Sequence, residues 1–229
     1  MIHIAGLTPF TTIDYPGALS LVLFCQGCPW QCGYCHNPHL QPFSKGIYAW
    51  DQIIALLKSR VGLLDAVVFS GGEPVMQKNL LRAIQEVKSL GFKAGLHTAG
   101  IQPVLLKPLL PHLNWVGMDI KAPFESYERV TRIRNSGCRA KESALTLIQS
   151  GIPYEFRTTV HPNLLTLDDL DRLTLQLVEM GGKHFVLQKF QPNGCVNRKL
   201  LQSPSDPVWP GSFLDKLRDR FETFLVREG

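Results

Sequence analysis

Apolar and polar positions along the chain alternate between two rhythms. Short, nearly continuous apolar runs of strand length occur at 19–24, 66–70, 93–98, 115–121, 154–160 and 184–190. Between them the apolar residues recur at helical spacing: Trp50, Ile53, Ile54, Leu57 and Val61 share one face, as do Leu80, Ile84 and Val87. A third helix is predicted to begin with Thr166 as N-cap and Asp169 at its third position. Leu170, Leu173 and Leu177 form its stripe, and Gly181-Gly182 ends it. A last helix after Ser212 is predicted to bury Leu214, Leu217, Phe221 and Phe224.

Six strands alternating with helices imply parallel pairing and right-handed crossovers, since a hairpin cannot join parallel neighbours. Parallel strands covered on both faces read as continuous apolar runs, as these do. Periodicity leaves open whether the α/β sheet curls into an incomplete barrel or stays open and doubly wound. No internal repeat, low-complexity tract or linker interrupts the 229 residues. They read as one domain, with a core at about 17–190 and a C-terminal loop and helix over 191–229. The proline-rich stretch 191–212 is too long for an ordinary connection, which marks it as functional.

Composition narrows the classes. Apolar residues make up 45% of the chain and charged residues 19%, enough for a sizeable core. No eighteen consecutive residues are apolar, so no membrane helix is predicted. The N-terminus lacks a basic start followed by an apolar run, so a cytoplasmic, reducing location is expected. There, clustered cysteines read as metal-binding or catalytic rather than as disulfides. The net charge of +5 is spread out, with no Lys or Arg run longer than two. That pattern argues against a nucleic-acid partner and is compatible with docking an acidic protein.

The chemistry gathers at strand ends. "FCQGCPWQCGYCHNP" (24–38) follows the first predicted strand, "SGGEP" the second, and "HTAG" ends the third. "DIK" ends the fourth, Arg157 lies in the fifth, and Gln191 follows the sixth. In parallel α/β folds that edge is where active sites form. Cys28, Cys32 and Cys35 could hold three irons of a [4Fe–4S] cluster and leave the fourth iron open. With Cys25 the same loop could instead close a four-thiolate zinc site from two C-x2-C pairs. Cys25, directly after a strand, also fits a buried small apolar residue. Alone, the GGE segment reads as a tight turn and Lys121 as a solvated strand-end lysine. Cys138 and Cys195 are solitary and read as structural.

"GCPWQCGYCHNP" resembles the signature of the radical S-adenosylmethionine (SAM) enzymes, C-x3-C-x-aromatic-C, with Tyr34 as the aromatic. His36-Asn37-Pro38, "TTIDYPG" (11–17) and "FSGGEP" (69–74) narrow the resemblance to glycyl-radical-enzyme activases, in particular the anaerobic ribonucleoside-triphosphate reductase activating proteins. It spans roughly residues 5–190. It implies a partial (β/α)6 TIM-like barrel and one [4Fe–4S] cluster on Cys28, Cys32 and Cys35. SAM would chelate the open iron, and one electron from flavodoxin or ferredoxin would split it into methionine and a 5′-deoxyadenosyl radical. Ser70, Gly71, Gly72 and Glu73, with Pro74, would receive the SAM amino group. Lys121 would meet the methionine carboxylate, Asp119 the ribose hydroxyls or a monovalent cation, and Arg157 the ribose or carboxylate. Thr98 is a further implied SAM contact, Tyr34 would lie near the adenine, and His36 would either meet a cluster sulfide or only pack.

Two positions depart from the pyruvate formate-lyase activases: His97 stands where they carry Asp, and Gln191 where they carry His. The expected partner is therefore a glycyl radical enzyme, the anaerobic ribonucleotide reductase. The alternatives are a pyruvate formate-lyase-type activase, or a small-molecule enzyme like 7-carboxy-7-deazaguanine synthase. From another class comes a zinc-binding interaction module, which explains the cysteines but not SGGEP or the strand-end rim.

Overall fold

The computed structural model describes residues 2–228. In chain order the elements are β1 (Ile4–Thr11), β2 (Ser20–Cys25), α1 (Trp50–Lys58), β3 (Ala66–Gly71), α2 (Leu80–Ser89), β4 (Lys93–Thr98), α3 (Pro103–Leu106) and β5 (Trp115–Asp119). Then come α4 (Glu128–Thr131), α5 (Ser136–Ser150), β6 (Tyr154–Val160), α6 (Leu167–Glu179), β7 (His184–Lys189), α7 (Arg198–Leu201), α8 (Gly211–Arg220) and β8 (Thr223–Arg227). The strands form one sheet in the order β1 to β8. Every neighbouring pair from β2 to β8 is parallel, and β1 runs antiparallel to β2. The six predicted strands are β2–β7, the strands of a partial (β/α)6 barrel, and β1 and β8 extend the sheet at its two edges.

Side-chain alternation gives each strand an outward and an inward face. Outward residues such as Leu21, Leu23, Val67, Phe69, Leu96, Val116, Phe156 and Leu187 join the helices in one continuous buried core. Each such side chain, fully buried, contributes about 1.5–3 kcal/mol. Inward residues at the strand starts, Val22, Ala66, Val68 and Trp115, pack with Tyr15 and Ala18 into a separate small cluster. Further along the inward faces lie Ser70, two positions beyond Val68, and Asp119, four beyond Trp115, with His97 on β4 and Arg157 on β6 facing the same way. The interior is thus apolar at the starts of β2, β3 and β5 and polar along the strand ends.

The helices follow their stripes. Leu80, Ile84 and Val87 of α2 are buried, as are Leu170, Leu173 and Leu177 of α6. The N-terminus of α6 carries the expected capping box. Thr166 Oγ1 accepts from Asp169 N at 3.1 Å, and the Asp169 carboxylate accepts from Thr166 N at 3.0 Å. Helix α1 ends at Lys58, so Val61 falls beyond it and is exposed. The last helix corrects the expectation most: α8 stops at Arg220, Phe221 turns extended with φ −116°, and Phe224 lies on β8. Among the described residues, no helix is long and apolar enough to cross a membrane.

Candidate functional site

One cavity opens at the C-terminal ends of the strands. Every site residue expected from the sequence lines it except Glu73, and Trp30, His36, Asn37, Gln41, His97, Ala99 and Thr159 line it as well. Gln191, the sixth rim position, does not: its side chain donates to the Glu228 carbonyl at 2.6 Å. Thr159 lies two positions beyond Arg157 on the same face of β6, a signal that strand periodicity carries and that the motif reading passed over.

The cysteine loop is held by backbone hydrogen bonds along its length. Gly27 N donates to Leu40 O at 2.7 Å and Cys28 N to Gln41 O at 3.0 Å. Gln31 N and Gly33 N donate to Thr131 O and Val130 O at 3.2 and 3.0 Å. The loop presents Cys28, Cys32 and Cys35 to the cavity as half-buried free thiols. Cys25, still on β2, faces outward, is fully buried, and belongs to the helix-covered core. Burial, reinforced by Glu73, pushes the Cys28 thiol up to about 12. Burial likewise raises Cys32, against the pull of Lys121.

The SGGEP turn is joined to that loop. Gly72 N donates to Cys25 O and Glu73 N to Gly27 O, both at 2.9 Å. Gly71 adopts φ +103°, and a Cβ there would fall 2.5 Å from Cys25 N; one on Gly72 would fall 2.5 Å from Gly27 O. Only glycines allow this approach. Glu73 lies behind the cavity wall, fully buried. Its carboxylate accepts from Thr98 Oγ1 at 2.7 Å and from Ala99 N at 2.8 Å, tying the end of β4 to the turn after β3. Burial raises its pKa to about 7, although these donors favour the anion. Its place is that of a brace rather than of a ligand facing the cavity.

The charged groups form a chain across the wall. Asp119 accepts from Arg157 Nε at 3.0 Å on one carboxylate oxygen and from Lys121 Nζ at 3.2 Å on the other. Burial alone would raise its pKa, yet Lys121 and Arg157 hold it at about 2. Lys121 Nζ also donates to Tyr34 Oη at 3.3 Å, with its ammonium 5.4 Å from the ring centroid. Tyr127, absent from the sequence reading, fixes the Lys121 backbone by accepting from its N at 3.0 Å.

His97 has a defined tautomer. Its Nε2 lies 2.9 Å from the Asp14 carbonyl, which can only accept, so Nε2 carries the proton. Nδ1 therefore accepts from Ser70 Oγ at 3.3 Å. Burial, with Arg157 nearby, lowers the His97 pKa to about 3, so the ring is neutral. This contact gives the 11–17 segment a purpose: Asp14 orients His97, and Tyr15 packs on Trp115 with ring centroids 5.5 Å apart.

The donor set fits a cluster with a zwitterionic ligand better than a single ion. Three thiols share one wall, and Lys121, Arg157 and Asp119 offer both signs of charge beside them. His36 Nε2 is buried with no hydrogen-bond partner in the protein, and its ring lines the same cavity. Among the described residues, no three Cys, His, Asp or Glu side chains sit at single-ion spacing.

The family profile of the Radical SAM superfamily matches residues 22–177. The chain is 26% identical over 208 residues to a Methanocaldococcus jannaschii protein named as a glycyl-radical enzyme activating enzyme, covering 88% of this chain and 85% of that one. It is 30% identical to the pyruvate formate-lyase-activating enzyme of Clostridium pasteurianum, over 66% of each chain. It is 26% identical to the PqqA peptide cyclase of Gluconobacter oxydans over 86% of this chain, and spans 56% of that longer protein. Among solved structures, SuiB of Streptococcus suis bound to S-adenosylmethionine superposes with a TM-score of 0.65 at 13% identity, covering 89% of this chain and 48% of that one. The chain thus spans about half the length of that structure, and the likeness there is one of fold.

Proposed function

This chain belongs to the Radical SAM superfamily, whose members use a [4Fe–4S] cluster and SAM, and from that premise we propose that it installs a glycyl radical on a partner enzyme, the anaerobic ribonucleoside-triphosphate reductase. The observation that carries the cluster chemistry is the division of the cysteines: Cys28, Cys32 and Cys35 face one cavity while Cys25 faces the core. Three thiolates leave one iron of a [4Fe–4S] cluster without a protein ligand. Cys28, Cys32 and Cys35 would hold the cluster, and cluster and SAM together would supply the one-electron chemistry that cleaves a carbon–sulfur bond and removes a hydrogen atom from the partner's glycine.

The residues divide the remaining work. Lys121 and Arg157 would attract the SAM carboxylate, and Asp119, kept ionised by both, would accept from ribose hydroxyls or hold a monovalent cation. Ser70, Gly71 and Gly72 let the ligand approach the backbone of the turn, and Glu73 holds that turn through Thr98 and Ala99. Tyr34, held by Lys121 Nζ at 3.3 Å, would contact the adenine from the cavity wall, and His36, whose Nε2 lacks a protein partner, would serve a cluster sulfide or ligand atom. The one external electron would come from a flavodoxin or ferredoxin.

Two similarities support an activase over a peptide cyclase. Likeness to the M. jannaschii protein runs along most of both chains, whereas just over half of the cyclase is matched. The 69–74 and 36–38 motifs point the same way. The test is anaerobic: reconstituted protein, SAM, reduced flavodoxin and the reductase are mixed and observed by electron paramagnetic resonance (EPR). The reading expects a glycyl-radical doublet and 5′-deoxyadenosine, both lost when the reductase's radical-site glycine is replaced by alanine. Abundant 5′-deoxyadenosine that depends on a peptide or small molecule, with no glycyl radical, contradicts it.

A further inference from the structure

Cys32 and Cys35 line a second groove as well as the cavity. Its walls add Arg132, Arg198 and Lys199, and no carboxylate lines it. All three cations are exposed. Among the described residues their side chains make no ion pair or hydrogen bond; Arg60, Arg134 and Arg139 are likewise unpaired, but none of those lines the groove.

These cations come from distant segments and are assembled on the cysteine loop itself. Gly33 lies between Cys32 and Cys35. Its N donates to Val130 O at 3.0 Å, and its O accepts from Asn197 Nδ2 at 3.0 Å. A Cβ on Gly33 would lie 3.6 Å from both the Arg132 guanidinium and the Asn197 amide. Arg132 itself sits at φ +60°, a left-handed conformation uncommon outside glycine. The backbone bends there at the point where its side chain meets the loop.

We propose that this groove docks the acidic one-electron carrier protein that reduces the cluster, a proposal that rests on the cluster site put forward above. Cys32, Cys35 and Gln41 line both groove and cavity, so a carrier seated here would stand close to the metal. Three unpaired cations without a neighbouring carboxylate attract an acidic surface and speed its encounter. A second face for the carrier leaves the cavity free for SAM and the glycine loop. The carrier's reduced flavin gives up one electron and the cluster accepts it; no bond forms and no proton moves.

The test compares reconstituted wild type with the Arg132→Glu/Arg198→Glu/Lys199→Glu variant. Cluster bleaching is followed by stopped flow with flavodoxin hydroquinone and, separately, with dithionite. A second variant, Lys58→Glu/Lys88→Glu/Lys93→Glu, makes the same net charge change at other exposed positions. The groove variant should be reduced by flavodoxin about tenfold or more slowly at low salt, with the gap closing at high salt. Its dithionite reduction should match wild type, and the second variant should keep most of the flavodoxin rate. Equal flavodoxin rates in the groove variant and wild type, or equal slowing in both variants, overturns the docking site. Tight, salt-sensitive binding of an oligonucleotide without any flavodoxin dependence overturns it too. A wild-type protein that binds no cluster and cleaves no SAM with dithionite defeats the underlying site instead.

Discussion

Two acidic side chains on neighbouring strands meet arginine in different ways. Glu155 of β6 pairs in register with Gly117, two positions before Asp119 on β5. Arg227 of β8 reaches it with two parallel bonds of 2.6 and 2.8 Å, and the Glu155 side chain is only 9% exposed. Asp119 shares Arg157 and Lys121, one on each oxygen, and stays 34% exposed to the cavity. The first arrangement is closed, with donors and acceptors matched to each other. The second is open, with three charged groups assembled and capacity left for a ligand. A closed pair serves the fold, and it also explains why the chain adds a strand beyond the six; an open set serves chemistry.

The largest break in this comparison is Arg227→Ala. It strands the Glu155 carboxylate in the interior and should cost about 2–3 kcal/mol of stability, read by urea unfolding of the metal-free protein. Arg157→Ala leaves Asp119 with Lys121, so the same assay should register below about 1 kcal/mol. SAM binding should instead weaken about tenfold or more. Similar stability losses for both variants would erase the distinction.

A smaller effect lies in the pH profile. Glu73 is raised from 4.5 to about 7 in the fold, so it binds protons more tightly when native. Its contribution is full below pH 4.5 and is lost as pH rises through 7. His97 is lowered from 6.5 to about 3, so its contribution is full above 6.5 and is lost as pH falls through 3. Between about 4.5 and 6.5 the two slopes oppose each other. Thermal unfolding of the metal-free protein should be nearly flat there, and His97→Gln should uncover a stability that falls with rising pH. An unchanged profile in that variant would remove His97 from the account.

Much of this was legible in the chain, for physical reasons. Strands β2–β7 announce themselves because burial on both faces requires continuous apolar runs. Strand β1 does not: Gly6 and Pro9 interrupt it and much of it is half-exposed. Phe221 and Phe224 continue the helical spacing of Leu214 and Leu217, so the apolar pattern does not reveal strand β8. Helix α5 escaped because its buried face is built from Ser136, Gly137, Ala140, Ser143 and Ala144, which give no apolar stripe. Within the site, strand-end position and motif spacing located the cavity residues, but not which way each side chain turns. Glu73 turns from the cavity, and His97 depends on a carbonyl 83 residues away. Arg132 and Arg198 line one groove because Val130 and Asn197, in their two segments, both bond to Gly33.

The most direct test follows iron and its EPR signal in oxygen-free, reconstituted protein, comparing wild type with Cys25→Ala and Cys32→Ala, before and after SAM is added. The three-thiolate site predicts about four irons per chain in wild type and Cys25→Ala. It also predicts a reduced-cluster signal that shifts when SAM binds in both, with cluster and shift lost in Cys32→Ala. Loss of metal from Cys25→Ala equal to that from Cys32→Ala, with a signal indifferent to SAM, would contradict it.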